Sequence, residues 1–170
     1  MGRLNLHYQD GGCAPDGVGL LISILIRYPE VCSVRYQQPE HALTFRFTVL
    51  GSEQGEKFMD TLQEALKAYH RLEGHSMRIC RIEHKLESGV TLVTVTRDVE
   101  SMNEREIGLI VDLVRNIAQN IIYDDTEIPE EEQIFQEEVI GQILQSFRDC
   151  RLEKGFIAVR EEGRVLVYNS

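Results

Sequence analysis

Among the side chains of this 170-residue chain, His70, His75, Cys80 and His84 are the set best suited by type to hold a zinc ion. Their spacing argues against it. His70 closes an apolar-periodic helix, where a cation suits the helix dipole. Cys80 and His84 fall in a stretch of period-2 alternation. Four residues along a strand separate Cα atoms by roughly 13 Å, whereas ligands of one zinc ion lie about 2 Å from it. The acidic run Asp124, Asp125, Glu127, Glu130, Glu131 and Glu132 lacks the spaced ligands and the glycine of a calcium loop. It reads as a solvated helix junction. The stretch Gly11-Gly12-Cys13-Ala14-Pro15-Asp16-Gly17-Val18-Gly19 has the glycines of a phosphate cradle. It has neither the following Lys nor a preceding buried strand, and no base is identifiable for Cys13. No metal, cofactor or catalytic residue is expected.

A second constellation lies on two predicted hairpins. Ser33 and Arg35 alternate with Cys32, Val34 and Tyr36. Thr44, Arg46 and Thr48 alternate with Leu43, Phe45, Phe47 and Val49. Further on, Arg81, Lys85, Thr94 and Thr96 occupy the polar phase of the next pair of runs. In a half-buried sheet these residues share the outward face. Arg35, Arg46, Arg81 and Lys85 with Thr44, Thr48, Thr94 and Thr96 therefore form a candidate surface for RNA, a phosphorylated ligand or an acidic peptide. Glu83 and Leu92 interrupt it, and no aromatic suited to stacking bases accompanies it. An ordinary solvated sheet face has the same composition.

The elements that must position these residues follow from periodicity. Gly17–Tyr28 is apolar nearly all round and stops before Pro29. It reads as a buried helix, with a strand as the alternative. The first hairpin turns at Gln38-Pro39-Glu40-His41. After it, Ser52 is a candidate N-cap, with Phe58, Met59, Leu62, Ala65, Leu66, Tyr69 and Leu72 at helical spacing and Gly74 as the stop. The second hairpin turns at Ser88-Gly89. Ser101-x-x-Glu104 has the form of a capping box, opening a helix expected to end near Tyr123. An offset of 48 residues lays the second ββα unit on the first without a gap. Pro129 suits the first turn of a helix over 130–151, which Gly155 closes. Residues 156–168 form a last hairpin around Glu161-Glu162-Gly163, which either extends the sheet or packs apart from it.

The expected fold is α+β: two pseudo-repeated ββα units form an antiparallel sheet with helices on one face, plus a C-terminal helix and β-hairpin. Residues 1–16 read as a flexible arm and 17–125 as the repeated core with its buried N-terminal helix. Residues 126–170 read as a helix–hairpin packed on that core. Two helices carry wider apolar arcs than one core requires, which nominates Leu109, Leu113, Ile140 and Leu144 as a dimer interface.

Charge sharpens the functional expectation. The net charge is −10, too acidic for a protein that coats nucleic acid without specificity. It is unevenly placed: residues 101–154 carry 13 acidic and 5 basic side chains, while the hairpins are close to neutral. The four scattered cysteines lack paired spacing and read as reduced thiols of a cytoplasmic protein. No secretory pattern opens the chain, and its longest apolar run is far too short to span a bilayer. The expectation is a non-enzymatic binding or regulatory protein that works by protein–protein contact as a homodimer. The alternatives are RNA or anion binding on the basic face, and a small-molecule enzyme whose polar groups converge only in three dimensions.

Overall fold

The computed structural model describes residues 16–51, 56–118, 120–123 and 127–170. Residues 1–15 of the expected arm, with Gly11, Gly12 and Cys13, the Ser52 cap and the carboxylates Asp124 and Asp125 lie outside these residues, while Asp16, also assigned to the arm, is the N-cap of the first helix. In chain order the elements are α1 (Gly17–Arg27), β1 (Ser33–Gln37), β2 (Ala42–Leu50), α2 (Glu56–Glu73), β3 (Cys80–Glu87) and β4 (Val90–Asp98). They continue with α3 (Glu104–Ile117), β5 (Ile121–Ile122), α4 (Glu130–Phe147), β6 (Phe156–Glu161) and β7 (Arg164–Asn169). This is an α+β fold with four helices and one seven-stranded antiparallel sheet among the described residues. The strand order is β3-β4-β2-β1-β6-β7, and short β5 pairs with the end of β2.

Alternation decides which side of the sheet meets the helices. Val34, Tyr36, Leu43, Phe45, Phe47, Val49, Val93, Val95 and Ala158 are buried on one face. Beneath them, Leu20, Leu21, Ile24 and Leu25 of α1 are wholly buried, and α4 packs behind α1. Removing such a side chain from water contributes about 1.5–3 kcal/mol each. Asp16 caps α1 by accepting from the Gly19 amide at 2.7 Å. The C-terminal hairpin extends the sheet beside β1, and its tight turn is built from Glu162 and Gly163 at φ 49° and 75°. Both values lie in the left-handed region that two-residue hairpins of type I′ demand. Ser88 and Gly89 turn the β3–β4 hairpin the same way, at 51° and 81°.

Several expectations are corrected. The N-cap of α3 is Asn103, whose side chain accepts from the Glu106 amide at 2.9 Å. Ser101 is not available for a capping box because its hydroxyl donates to Asp98 at 2.6 Å. Helix α3 ends at Ile117, since residues 121–122 pair with β2 and the Asn120 carbonyl accepts from the Leu50 amide. Helix α4 ends at Phe147, short of Arg151. Leu72 lies off the buried stripe of α2 and is 88% exposed.

The nominated dimer interface is corrected at Ile140 and Leu144. Ile140 and Leu144 are fully buried inside the chain, and Leu109 and Leu113 are half-buried against its core. Packing of α4 onto α1 consumes the apolar arc that looked surplus in the sequence. Its outward apolar side chains are instead Ile134 and Phe135. Cys32 and Cys80 are free thiols, while Cys150 is disulfide-bonded. That bond removes the thiol argument for a reducing compartment. No helix among the described residues is long and apolar enough to cross a membrane.

Candidate functional site

The helix-free side of the sheet gathers the residues the alternation nominated. Strand registers align them in rows that run from β7 to β3. One row is Tyr168, Ile157, Arg35, Thr44, Thr96 and Arg81; the next is Leu166, Val159, Ser33, Arg46, Thr94 and Glu83. A third sets Ile122, Thr48, Leu92 and Lys85 together. All eight nominated residues therefore lie on one face, which no described helix covers. The C-terminal hairpin adds an apolar strip of Ile157, Val159, Leu166 and Tyr168, with Tyr168 half-exposed. Sequence reading missed this strip because nothing in the local pattern says which edge a terminal hairpin joins.

The cations differ in availability. Arg81 forks onto the Glu40 carboxylate at 2.6 and 2.8 Å. Hydrogen bonding from that guanidinium lowers the Glu40 pKa, and the carboxylate raises that of Arg81. Arg81 is thus largely spent. Arg35, Arg46 and Lys85 are exposed and form no ion pair or side-chain hydrogen bond among the described residues. Between them run hydroxyls: Thr44 accepts from Gln37 at 2.7 Å and shares a hydrogen bond with Thr96 at 3.0 Å. This is chemistry for holding carboxylate or phosphate beside apolar surface.

On the helical side lies a buried ionic cluster that the sequence reading did not single out. Arg97 follows Val93 and Val95 in the inward phase of β4 and is completely buried. It donates from Nε and Nη2 to the Glu106 carboxylate at 2.5 and 3.1 Å. From Nη1 it donates to the Ile79 carbonyl at 2.7 Å and to Asp98 at 2.5 Å, and from Nη2 to Ser101 at 3.1 Å. His70 places Nε2 2.8 Å from Glu106, also in the core. Burial alone raises the Asp98 pKa, but hydrogen bonds from Ser101 and Ile79 and the charge of Arg97 outweigh it and leave it lowered. The signal in sequence was a charge at an inward strand position, with Glu106 one helical turn before buried Ile110. Every donor direction of Arg97 is occupied, which is the arrangement of a structural support.

A third polar cluster joins the β1–β2 turn to the end of α4. His41, at φ 51°, contacts the Phe147 carbonyl through Nε2 and the Tyr36 hydroxyl through Nδ1, both at 2.8 Å. A carbonyl only accepts, so Nε2 carries the proton and Nδ1 accepts from Tyr36. Tyr36 in turn accepts from the Leu152 amide at 3.3 Å. Burial, helped by the charge of Arg151, lowers the His41 pKa, against the opposing pull of the Phe147 carbonyl and Glu100. Beside it opens a cavity of about 150 Å³ lined by Glu40, His41, Arg78, Ile79, Asp98, Glu100 and Arg151. Its carboxylates are each engaged: Glu40 with Arg81, Asp98 with Arg97, and Glu100 with Arg78.

The nucleophile candidates are poorly served. Burial raises the Cys80 thiol pKa, and the only base beside Ser101 among the described residues is the Asp98 carboxylate, which Arg97 and the Ile79 amide already occupy and whose pKa they lower. His70 sits in the ionic cluster while His84 lies on β3, so the histidines and Cys80 do not converge, and no described group of three or more acidic, His or Cys side chains could hold a metal ion. No protein-family model matches the chain, and no curated protein or solved structure is significantly similar to it.

Proposed function

We propose that the chain is a non-enzymatic binding protein that presents the helix-free face of its sheet to an acidic protein segment. One observation carries the reading: Arg35 and Arg46, cations without a described partner, stand on the open face of an acidic molecule beside the apolar side chains of β6 and β7, with Lys85 farther along the same face on β3. A carboxylate-bearing amphipathic segment fits both features. Its acids would meet the arginines and its apolar residues the strip around Ile157 and Leu166. RNA or a phosphorylated ligand would use the same cations, but a single exposed tyrosine on the face offers little stacking.

A photoreactive phenylalanine analogue placed at Thr48 on this face, and at Asp60 on the exposed side of α2 as control, tests the reading in the native cell. The expected result is a protein adduct at position 48 that Arg35→Glu with Arg46→Glu abolishes, and none at 60. Ribonuclease-sensitive adducts at 48 would replace the protein partner by RNA. Equal adducts at both positions, or none at either, would overturn the assignment.

A further inference from the structure

The two edges of the sheet are unlike. Strand β3 carries Arg81, Glu83, His84, Lys85 and Glu87, all exposed, and charges of this kind discourage another strand from pairing. Strand β7 reads Arg164-Val165-Leu166-Val167-Tyr168-Asn169, with one charge, at its first residue, and no proline. Among the described residues no strand pairs with its far side.

The phase of the β6–β7 ladder says which backbone groups are left open. Glu161 and Arg164 flank a two-residue turn and form a hydrogen-bonded pair; such pairs alternate along an antiparallel ladder. Arg164, Leu166 and Tyr168 therefore bond to β6, in phase with the Ser170 amide that donates to the Gly155 carbonyl at 3.0 Å. Val165, Val167 and Asn169 point their N–H and C=O groups away from the sheet. Three donors and three acceptors stand in a row on an apolar strand.

We propose that β7 pairs antiparallel with β7 of a second copy of this chain, about a twofold axis through Val167. In this register Val167 faces Val167 and Val165 faces Asn169, so all open groups of both strands are satisfied. Leu166 faces Tyr168 of the second copy in the closer, non-hydrogen-bonded pairs, a contact of aliphatic on aromatic surface. Arg164 falls opposite Ser170, so no charge meets its like. Pairing β7 with β3 of another copy would bury charge and would not close on itself. The twofold is perpendicular to the sheet, so the helix-free faces of both copies continue side by side. The proposal stands apart from the choice of partner for that face.

Cysteine substitution reads the register directly. Hydrogen-bonded antiparallel pairs hold Cα atoms about 5.5 Å apart, within the span of a disulfide. Val167→Cys is expected to give a covalent dimer on a non-reducing gel under mild oxidation, and Val165→Cys no more dimer than the parent. In sedimentation equilibrium the parent is expected at twice the mass of the chain. Val167→Pro removes an outward amide and leaves the β6 ladder whole, so it is expected at the mass of one chain with an unchanged far-ultraviolet spectrum. Tyr168→Glu, on a half-exposed residue, is expected to do the same and covers the case in which the proline prevents folding. A monomeric parent, a dimer that survives both substitutions, or equal cross-linking at 165 and 167 would overturn the proposal.

Discussion

Removal of the Glu106 carboxylate is the sharpest test of the buried cluster. In Glu106→Leu, the Nε of Arg97 loses its only acceptor, Nη2 keeps Ser101, and His70 loses the oxygen 2.8 Å from its Nε2. Asp98 still faces Nη1, but the guanidinium stays wholly buried. Breaking one side of a buried ion pair costs about 3–5 kcal/mol, most of it from stranding the remaining charge. For a chain of this size each kcal/mol moves the melting temperature by roughly 2–4 °C, so the expected fall is ~6–20 °C. Adding Arg97→Met removes the stranded cation. Asp98 then remains served by the Ser101 hydroxyl and amide and by the amides of Arg78 and Ile79. The double variant should therefore melt above Glu106→Leu. Thermal melts by circular dichroism, with urea midpoints to confirm the order, read the comparison. A Glu106→Leu chain melting within about 2 °C of the parent, or a double variant less stable than the single, would refute the claim that Arg97 and Glu106 exist to compensate each other.

Two further outcomes are expected. Burial lowers the folded-state pKa of His41 below its ordinary 6.5, so the unfolded chain takes up the proton first; the contribution is intact above about pH 6.5 and is lost as pH falls below it. The urea midpoint of the parent should drop between pH 7.5 and 5.5 by more than that of His41→Asn, a residue that tolerates the left-handed backbone; equal drops would remove His41 from the account. Leu144→Ala should cost about 2–5 kcal/mol of stability and Phe135→Ala within about 0.5 kcal/mol, because the first is buried in the chain and the second is 56% exposed. Similar costs measured by denaturant titration would contradict the packing of α4 on α1.

The parts of the fold legible in the sequence are those where a period repeats locally. Thr44, Arg46 and Thr48 alternate with Phe45, Phe47 and Val49, and the rule that one face of a sheet is buried places them outward without further information. Arg97 shows where that reasoning stops. Its phase puts it inward, but whether a buried arginine is supported depends on Glu106 and His70, which arrive from two helices. The same limit applies to Ser101. Its spacing to Glu104 satisfies a capping pattern, yet its hydroxyl goes to Asp98 because the β4–α3 corner brings them together. The dimer arc on α4 failed for the opposite reason: Ile140 and Leu144 are apolar enough to be an interface, and what buries them is α1, more than a hundred residues away in sequence.

The uneven charge, −8 of it in residues 101–154, takes on meaning once α4 is located. Five of those acids, Glu130, Glu131, Glu132, Glu137 and Glu138, are on α4, which packs on α1 on the helical side of the sheet, away from Arg35 and Arg46; Glu137 pairs with Arg27 of α1 at 2.7 Å. A helix layer is about 10 Å thick, and with the sheet it sets those carboxylates well back from a ligand on the open face, which weakens their repulsion by distance. A ligand already on the face feels its cations and little of the acidic side. A long polyanion is different, because its outlying charges extend past the patch toward a molecule whose net charge is −10. Repulsion over that length slows its approach and subtracts from each contact at the face. A short acidic segment of a folded partner escapes this. On the proposed reading, the charge that looks hostile to anions as a class would discriminate among them by length, to the advantage of a protein segment over RNA.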